Sequence, residues 1–71
     1  MGIYTIANFE TKEDATKYYT SGANKYSERL TKNLSKYEET KDRDYLSKAN
    51  HCAYIVQVFC EYLEEVETHE W

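Results

Sequence analysis

The sequence predicts a mostly α fold, an antiparallel helical hairpin with a short N-terminal extended segment packed on it. Three observations lead there. The 71-residue chain has no proline and only two glycines, so it lacks the turn punctuation of a many-stranded β fold. Tyr45, Ala49, Cys52, Val56, Phe59, Leu63 and Val66 recur at alternating steps of four and three, a heptad seam over three repeats. Ala15, Tyr18, Gly22, Tyr26, Leu30, Leu34 and Tyr37 also recur at steps of three or four, with Tyr19 and Ala23 beside them. Two such stripes can close on each other. At this length they make one domain, residues 1–71, which buries only about 60% of its unfolded surface.

The elements follow in order. Residues 3–9, Ile-Tyr-Thr-Ile-Ala-Asn-Phe, have the composition of a strand, but no second strand exists to pair with them. An extended arm laid across the helices is the expected outcome. Thr11 opens the first helix, because its hydroxyl can accept the Asp14 amide while Glu13 and Asp14 suit the positive end of the helix dipole. That helix is expected over 12–39. Gly22 lies on its stripe, where it would either admit another backbone or kink the helix near 21–22; an interior glycine costs about 1 kcal/mol relative to alanine. Residues 38–44 have no apolar member and read as a turn, with Thr40 or Asp42 capping the next helix. One uninterrupted helix is the alternative.

The second helix is expected over 43–68. Leu46, Ala53 and Cys60 flank its seam, and Tyr54, Ile55, Val58 and Tyr62 form an apolar surface on another side. A helix apolar on two sides must cover both. The first helix takes one; the arm or a second copy takes the other, and a homodimer is favoured over a monomer.

Charge and composition exclude several functions. Residues 1–40 balance six basic against six acidic groups, whereas residues 41–71 hold three basic and seven acidic ones. The net charge of −4 gives no general affinity for nucleic acid or an anionic membrane. No basic-then-apolar leader opens the chain, and no apolar run approaches the ~20 residues of a membrane span. Cys52 and Cys60 would lie roughly 12 Å apart on one helix, too far for a disulfide. Buried thiols in a reducing cytoplasm are the expectation. His51, Cys52, Cys60 and His69 fit no zinc spacing, so no metal site is expected. No phosphate loop exists, and Glu61 and Glu65 on a helix surface lack a pocket to separate their pKa values. No catalytic residue, cofactor or enzymatic activity is expected.

One feature is left unexplained by folding alone. Glu61, Glu64, Glu65, Glu67 and Glu70 crowd the end of the second helix with no Lys or Arg among them. Carboxylates there oppose the helix dipole and repel one another at steps of three and four. Rows of carboxylates ~5–6 Å apart can imitate a phosphate backbone. On these glutamates and on its size, the chain is similar in type to small acidic phage-encoded host-takeover proteins, some of which mimic DNA and block bacterial histone-like proteins. The resemblance is one of type and carries no shared motif. It implies a non-enzymatic inhibitor or adaptor that occludes a basic, nucleic-acid-binding protein. Tyr54, Val58 and Tyr62 join the glutamates as candidate contacts, since tyrosine offers large area and a polar tip. The alternative is a structural homo-oligomerisation module built on the heptad seam and the second apolar face.

Overall fold

A computed structural model describes residues 2–71. Two helices, α1 (Lys12–Thr40) and α2 (Arg43–Thr68), pack antiparallel, and a single 3-10 turn, Ile6–Asn8, precedes them. The molecule measures 47 × 19 × 15 Å, so the hairpin sets its length. The antiparallel register is marked by three contacts between the helices: Lys12 with Glu67, Gly22 with Phe59, and Asn33 with Cys52. Among the described residues, no helix is long and apolar enough to cross a membrane.

The helix ends follow local chemistry. The Thr11 hydroxyl accepts the Asp14 amide at 3.2 Å and caps α1. Between the helices stand only Lys41 and Asp42. Lys41 adopts a left-handed conformation, φ 58°, that would ordinarily fall to glycine, and its amide donates to the Tyr37 carbonyl at 2.7 Å. The Thr40 hydroxyl donates to the Lys36 carbonyl and accepts the Asp42 amide. Asp42 then caps α2 by accepting the Asp44 amide at 3.0 Å. Of the two candidate caps, Asp42 takes the capping position and Thr40 ties the turn to the end of α1.

The expected arm is an arm, but not a fully extended one. Thr5 and Phe9 are extended, and the residues between them wind into one turn held by Asn8 N–H to the Thr5 carbonyl at 3.0 Å. With no strand to pair against, the backbone meets part of its hydrogen bonding locally. Ile3, Ile6 and Phe9 pack onto the core.

That core is an aromatic cluster at the end of the hairpin where the arm lies. Ala15, Tyr19, Phe59 and Val66 are buried together. Tyr19, expected beside the stripe of α1, is at its centre and wholly buried. Its ring stacks on Tyr62 at 4.9 Å and 3° and meets Phe9 edge-on at 5.6 Å. Its hydroxyl donates to the Tyr4 carbonyl at 2.6 Å, which ties the arm to α1. Tyr4 in turn stacks on Tyr18 at 5.3 Å.

Gly22 neither kinks nor splits α1, which runs unbroken through it. What approaches it is a ring rather than a backbone. A Cβ at position 22 would come within 2.5 Å of the Phe59 ring.

On α2, the four buried residues Ala49, Cys52, Phe59 and Val66 all belong to the heptad seam. The flanking positions differ from expectation. Ala53 and Cys60 are exposed, so Cys60 is a surface thiol and only Cys52 is buried. Of the second apolar face, Ile55 and Tyr62 pack against the core, whereas Tyr54 keeps 63% of its surface exposed.

Candidate partner-binding surface

The antiparallel closure builds the surface from two distant parts of the sequence. The last turns of α2 carry Glu61, Glu64, Glu65 and Glu67, and Glu70 follows just beyond. Beside them lies the first turn of α1 with Glu13 and Asp14, preceded by Glu10. The Lys12–Glu67 ion pair, 3.3 Å, holds the two helix ends together. Eight carboxylates therefore share one end of the molecule with two cations, Lys12 and Lys17. The remaining charges, seven basic and five acidic, lie along the middle and at the turn. An overall charge of −4 is thus divided into a strongly acidic end and a weakly basic remainder.

Glu10, Glu13 and Asp14 were not part of the sequence-derived surface. In the sequence Glu13 and Asp14 read as helix-start residues, and the pairing of that start with the end of α2 adds them to the acidic tip. Conversely, the tip is not wholly free of cations. Lys12 reaches Glu67, although both side chains are exposed and a surface pair of this kind contributes no more than about 1 kcal/mol.

Five of the eight candidate contact residues come together. Tyr54, Val58, Glu61, Tyr62 and Glu65 line an open groove of about 360 Å³ along one side of α2. Their spacing of four, three, one and three places them on one helical strip. The Gln57 side-chain amide donates to Glu61 at 3.2 Å and orients its carboxylate. Glu64, Glu67 and Glu70 do not line the groove, and Glu67 is turned to Lys12.

The tyrosine rings divide into two groups. Tyr26, Tyr37 and Tyr45 each have a cation over the ring, from Arg29 at 4.9 Å, Lys41 at 5.8 Å and Lys48 at 5.3 Å. Residues 49–71 contain neither Lys nor Arg. The exposed Tyr54 ring therefore stands beside Glu61 and Glu65 with no neighbouring cation on its own helix after Lys48. Arginine or lysine side chains from outside would find both an aromatic face and carboxylates there.

Beneath the groove, Tyr19 anchors the surface to the core. Its pKa is pushed up to about 12, chiefly by burial and secondarily by Tyr62, Tyr18 and Glu65. It stays a neutral hydrogen-bond donor at physiological pH. At the far end of α2, Trp71 folds back, donating its indole N–H to the Val66 carbonyl at 3.0 Å and meeting His69 edge-on at 4.6 Å.

No family model matches the chain, and neither curated proteins nor solved structures give a match.

Proposed function

We propose that this protein is a non-enzymatic inhibitor or adaptor whose acidic end occludes a basic partner protein, one whose basic surface normally holds nucleic acid. The observation that carries the reading is the gathering of Glu10, Glu13, Asp14 and Glu61 to Glu70 at one end of an elongated hairpin, against only Lys12 and Lys17. Folding alone does not call for this arrangement. Glu64, Glu65 and Glu67 lie in or next to the last turn of α2, where each costs a few tenths of a kcal/mol against the helix dipole, and repulsion among the glutamates adds to that. Tyr54, Val58 and Tyr62 supply an apolar strip beside the carboxylates. Binding of this kind associates fast and weakens with salt.

The test is charge reversal. The triple variant Glu61→Lys, Glu64→Lys, Glu65→Lys changes only exposed positions and leaves the buried seam intact. Wild-type and variant chains are immobilised, presented with nuclease-treated bacterial lysate and eluted with a salt gradient. The expected result is a basic nucleic-acid-binding protein that elutes at moderate salt from the wild type, is absent from the variant, and is displaced from DNA by the free wild-type chain. Capture that survives the reversal would defeat the reading.

The second reading, a homo-oligomerisation module, has less surface to use than its sequence pattern offers. Ala49, Cys52, Phe59 and Val66 of the heptad seam are consumed inside the hairpin. Of the second apolar face of α2, the Tyr54 and Val58 side is left for a second copy. Val58→Glu would break an assembly built there and leave a purely acidic contact largely intact, and sedimentation velocity separates the two outcomes.

A further inference from the structure

A cleft of about 400 Å³ opens on the molecule where the arm, α1 and α2 meet, and none of its lining residues belongs to the groove of Tyr54, Val58, Glu61, Tyr62 and Glu65. Its walls are Ile3 from the arm, Tyr18 and Tyr26 from α1, and Ile55 and Phe59 from α2. Gly22 gives it its floor: with no side chain on α1 there, the Phe59 ring sits against the helix backbone instead of being pushed outward. The rings are already arranged. Phe59 lies 6.2 Å from Tyr18 at a steep angle and 6.1 Å from Tyr26. Two basic side chains line the cleft, Lys25 and His51, one from each helix. No carboxylate lines it, although the protein as a whole is acidic. Lys25 belongs to no ion pair among the described residues, whereas Lys12 and Lys36 each have a carboxylate partner.

A cavity of this size, apolar on its walls and with few polar groups at its edge, has the character of a small-molecule site. The aromatic walls favour a flat ring, which can stack or meet them edge-on. The unpaired ammonium of Lys25, with the imidazole of His51 across the cleft, favours a negative group on that ring. We propose that this cleft is a binding site for a small aromatic anion, a single ring system of about indole size bearing a carboxylate. The ring enters between Ile55 and the Tyr18, Tyr26 and Phe59 rings, and the carboxylate stays at the mouth on Lys25 and His51. The site is independent of the acidic end, so neither proposal depends on the other.

Indole-3-acetate and tryptamine share a ring and carry opposite charges, so they separate ring binding from charge recognition. Each is titrated into the full isotope-labelled chain while backbone amide shifts are followed. Indole-3-acetate should produce saturable shifts at Ile3, Ser21, Gly22, His51 and Ile55, and tryptamine should bind at least about tenfold more weakly, as expected for losing one charge-assisted hydrogen bond. Lys25→Glu, at an exposed position of α1, should reverse the preference. Lys25→Gln should abolish the preference without reversing it, and it serves in place of the glutamate variant should that chain lose its helical circular dichroism. Equal binding of the two compounds, shifts confined to other residues, no saturable shift at all, or a preference unchanged by both substitutions would each overturn the proposal.

Discussion

At the arm end of the hairpin Tyr19 is sealed beneath Phe9, Tyr62 and Phe59, while at the turn end Leu34, a stripe residue of the same helix, keeps 45% of its surface in water. The arm end has three layers: the arm, α1 and α2. The turn end has two, and its buried residues, Ala49 and Cys52, are small and lie outside the main cluster. The contact nearest them is polar, with the Asn33 amide 3.9 Å from the Cys52 sulfur. Two packed helices leave the outer edges of their stripes wet, and a third element is needed to close them. The two buried rings, Tyr19 and Phe59, are placed where that third element exists. The acidic surface and the aromatic cleft both use the three-layered part, which is where a hairpin this small can hold side chains rigidly.

The largest effect should come from the arm end. Phe59→Ala removes a ring in contact with Tyr18, Tyr19 and Tyr26 and should cost about 3–5 kcal/mol. A chain of this size has roughly 4–10 kcal/mol in total, so the variant should lose about a third or more of its stability, read as a much lower urea midpoint by far-UV circular dichroism. Leu34→Ala, at the turn end, should cost less than about 1 kcal/mol in a urea titration, since half its transfer from water never occurs. Similar losses at the two sites would mean that the layers do not differ in packing.

Gly22→Ala sharpens the same contrast. Alanine restores about 1 kcal/mol of helix propensity. Its methyl, however, would lie 2.5–2.9 Å from three atoms of the Phe59 ring, and overpacking of this kind costs about 1–3 kcal/mol. Tyr18, Tyr19 and Tyr26 flank the ring, so it can retreat only towards the cleft it lines, at the cost of those contacts. A lower urea midpoint is expected. A raised one would show that the Phe59 ring yields freely and that the cluster is loosely packed.

Tyr19 gives a pH signature. Its folded pKa lies above the usual tyrosine value of 10.0, so in alkali the unfolded chain releases this proton first. Stability from this group is complete below pH 10 and is lost as pH rises towards about 12. Tyr19→Phe should cost about 1 kcal/mol at neutral pH, through the lost hydrogen bond to the Tyr4 carbonyl, and should flatten the alkaline loss. Urea midpoints at pH 8, 10 and 11 for both chains measure it; an alkaline slope unchanged by the substitution would rule Tyr19 out as its source.

The sequence carried the architecture because periodicity is a property of one helix at a time. The heptad seam contains all four buried residues of α2, Ala49, Cys52, Phe59 and Val66, along with the half-buried Tyr45, Val56 and Leu63, and the capping pattern places Thr11 and narrows the second cap to Thr40 or Asp42. It could not say which end of the seam would thicken. That depends on where the arm lands, and the landing is fixed by a hydrogen bond from Tyr19 to a backbone carbonyl fifteen residues away. Cys60 and Ala53 flank the seam at a spacing of seven, yet α1 covers only the seam itself and leaves both exposed. Of the candidate surface, Glu61 to Glu70 were legible as an unbalanced run. Glu10, Glu13 and Asp14 join them only because the chain reverses once, and the aromatic cleft, drawn from three segments, has no linear signature.

The smallest expected effect lies in the turn end. Lys41 sits at φ 58° and ψ 18°, where a side chain costs roughly 1–2 kcal/mol and glycine costs nothing comparable. Lys41→Gly removes that strain and adds freedom to the unfolded chain, and it also removes the ammonium 5.8 Å from the Tyr37 ring. An exposed cation over a tyrosine contributes about 0.5–1 kcal/mol at most, and the glycine's extra unfolded-state entropy about as much. The strain relieved and the two losses nearly cancel, so the net change should stay within a few tenths of a kcal/mol, read as a urea midpoint little moved at unchanged slope. A lowered midpoint would mean that the Lys41–Tyr37 contact holds the turn more firmly than its geometry strains it. The two-layered end would then owe part of its stability to a surface cation, a role the arm fills at the other end.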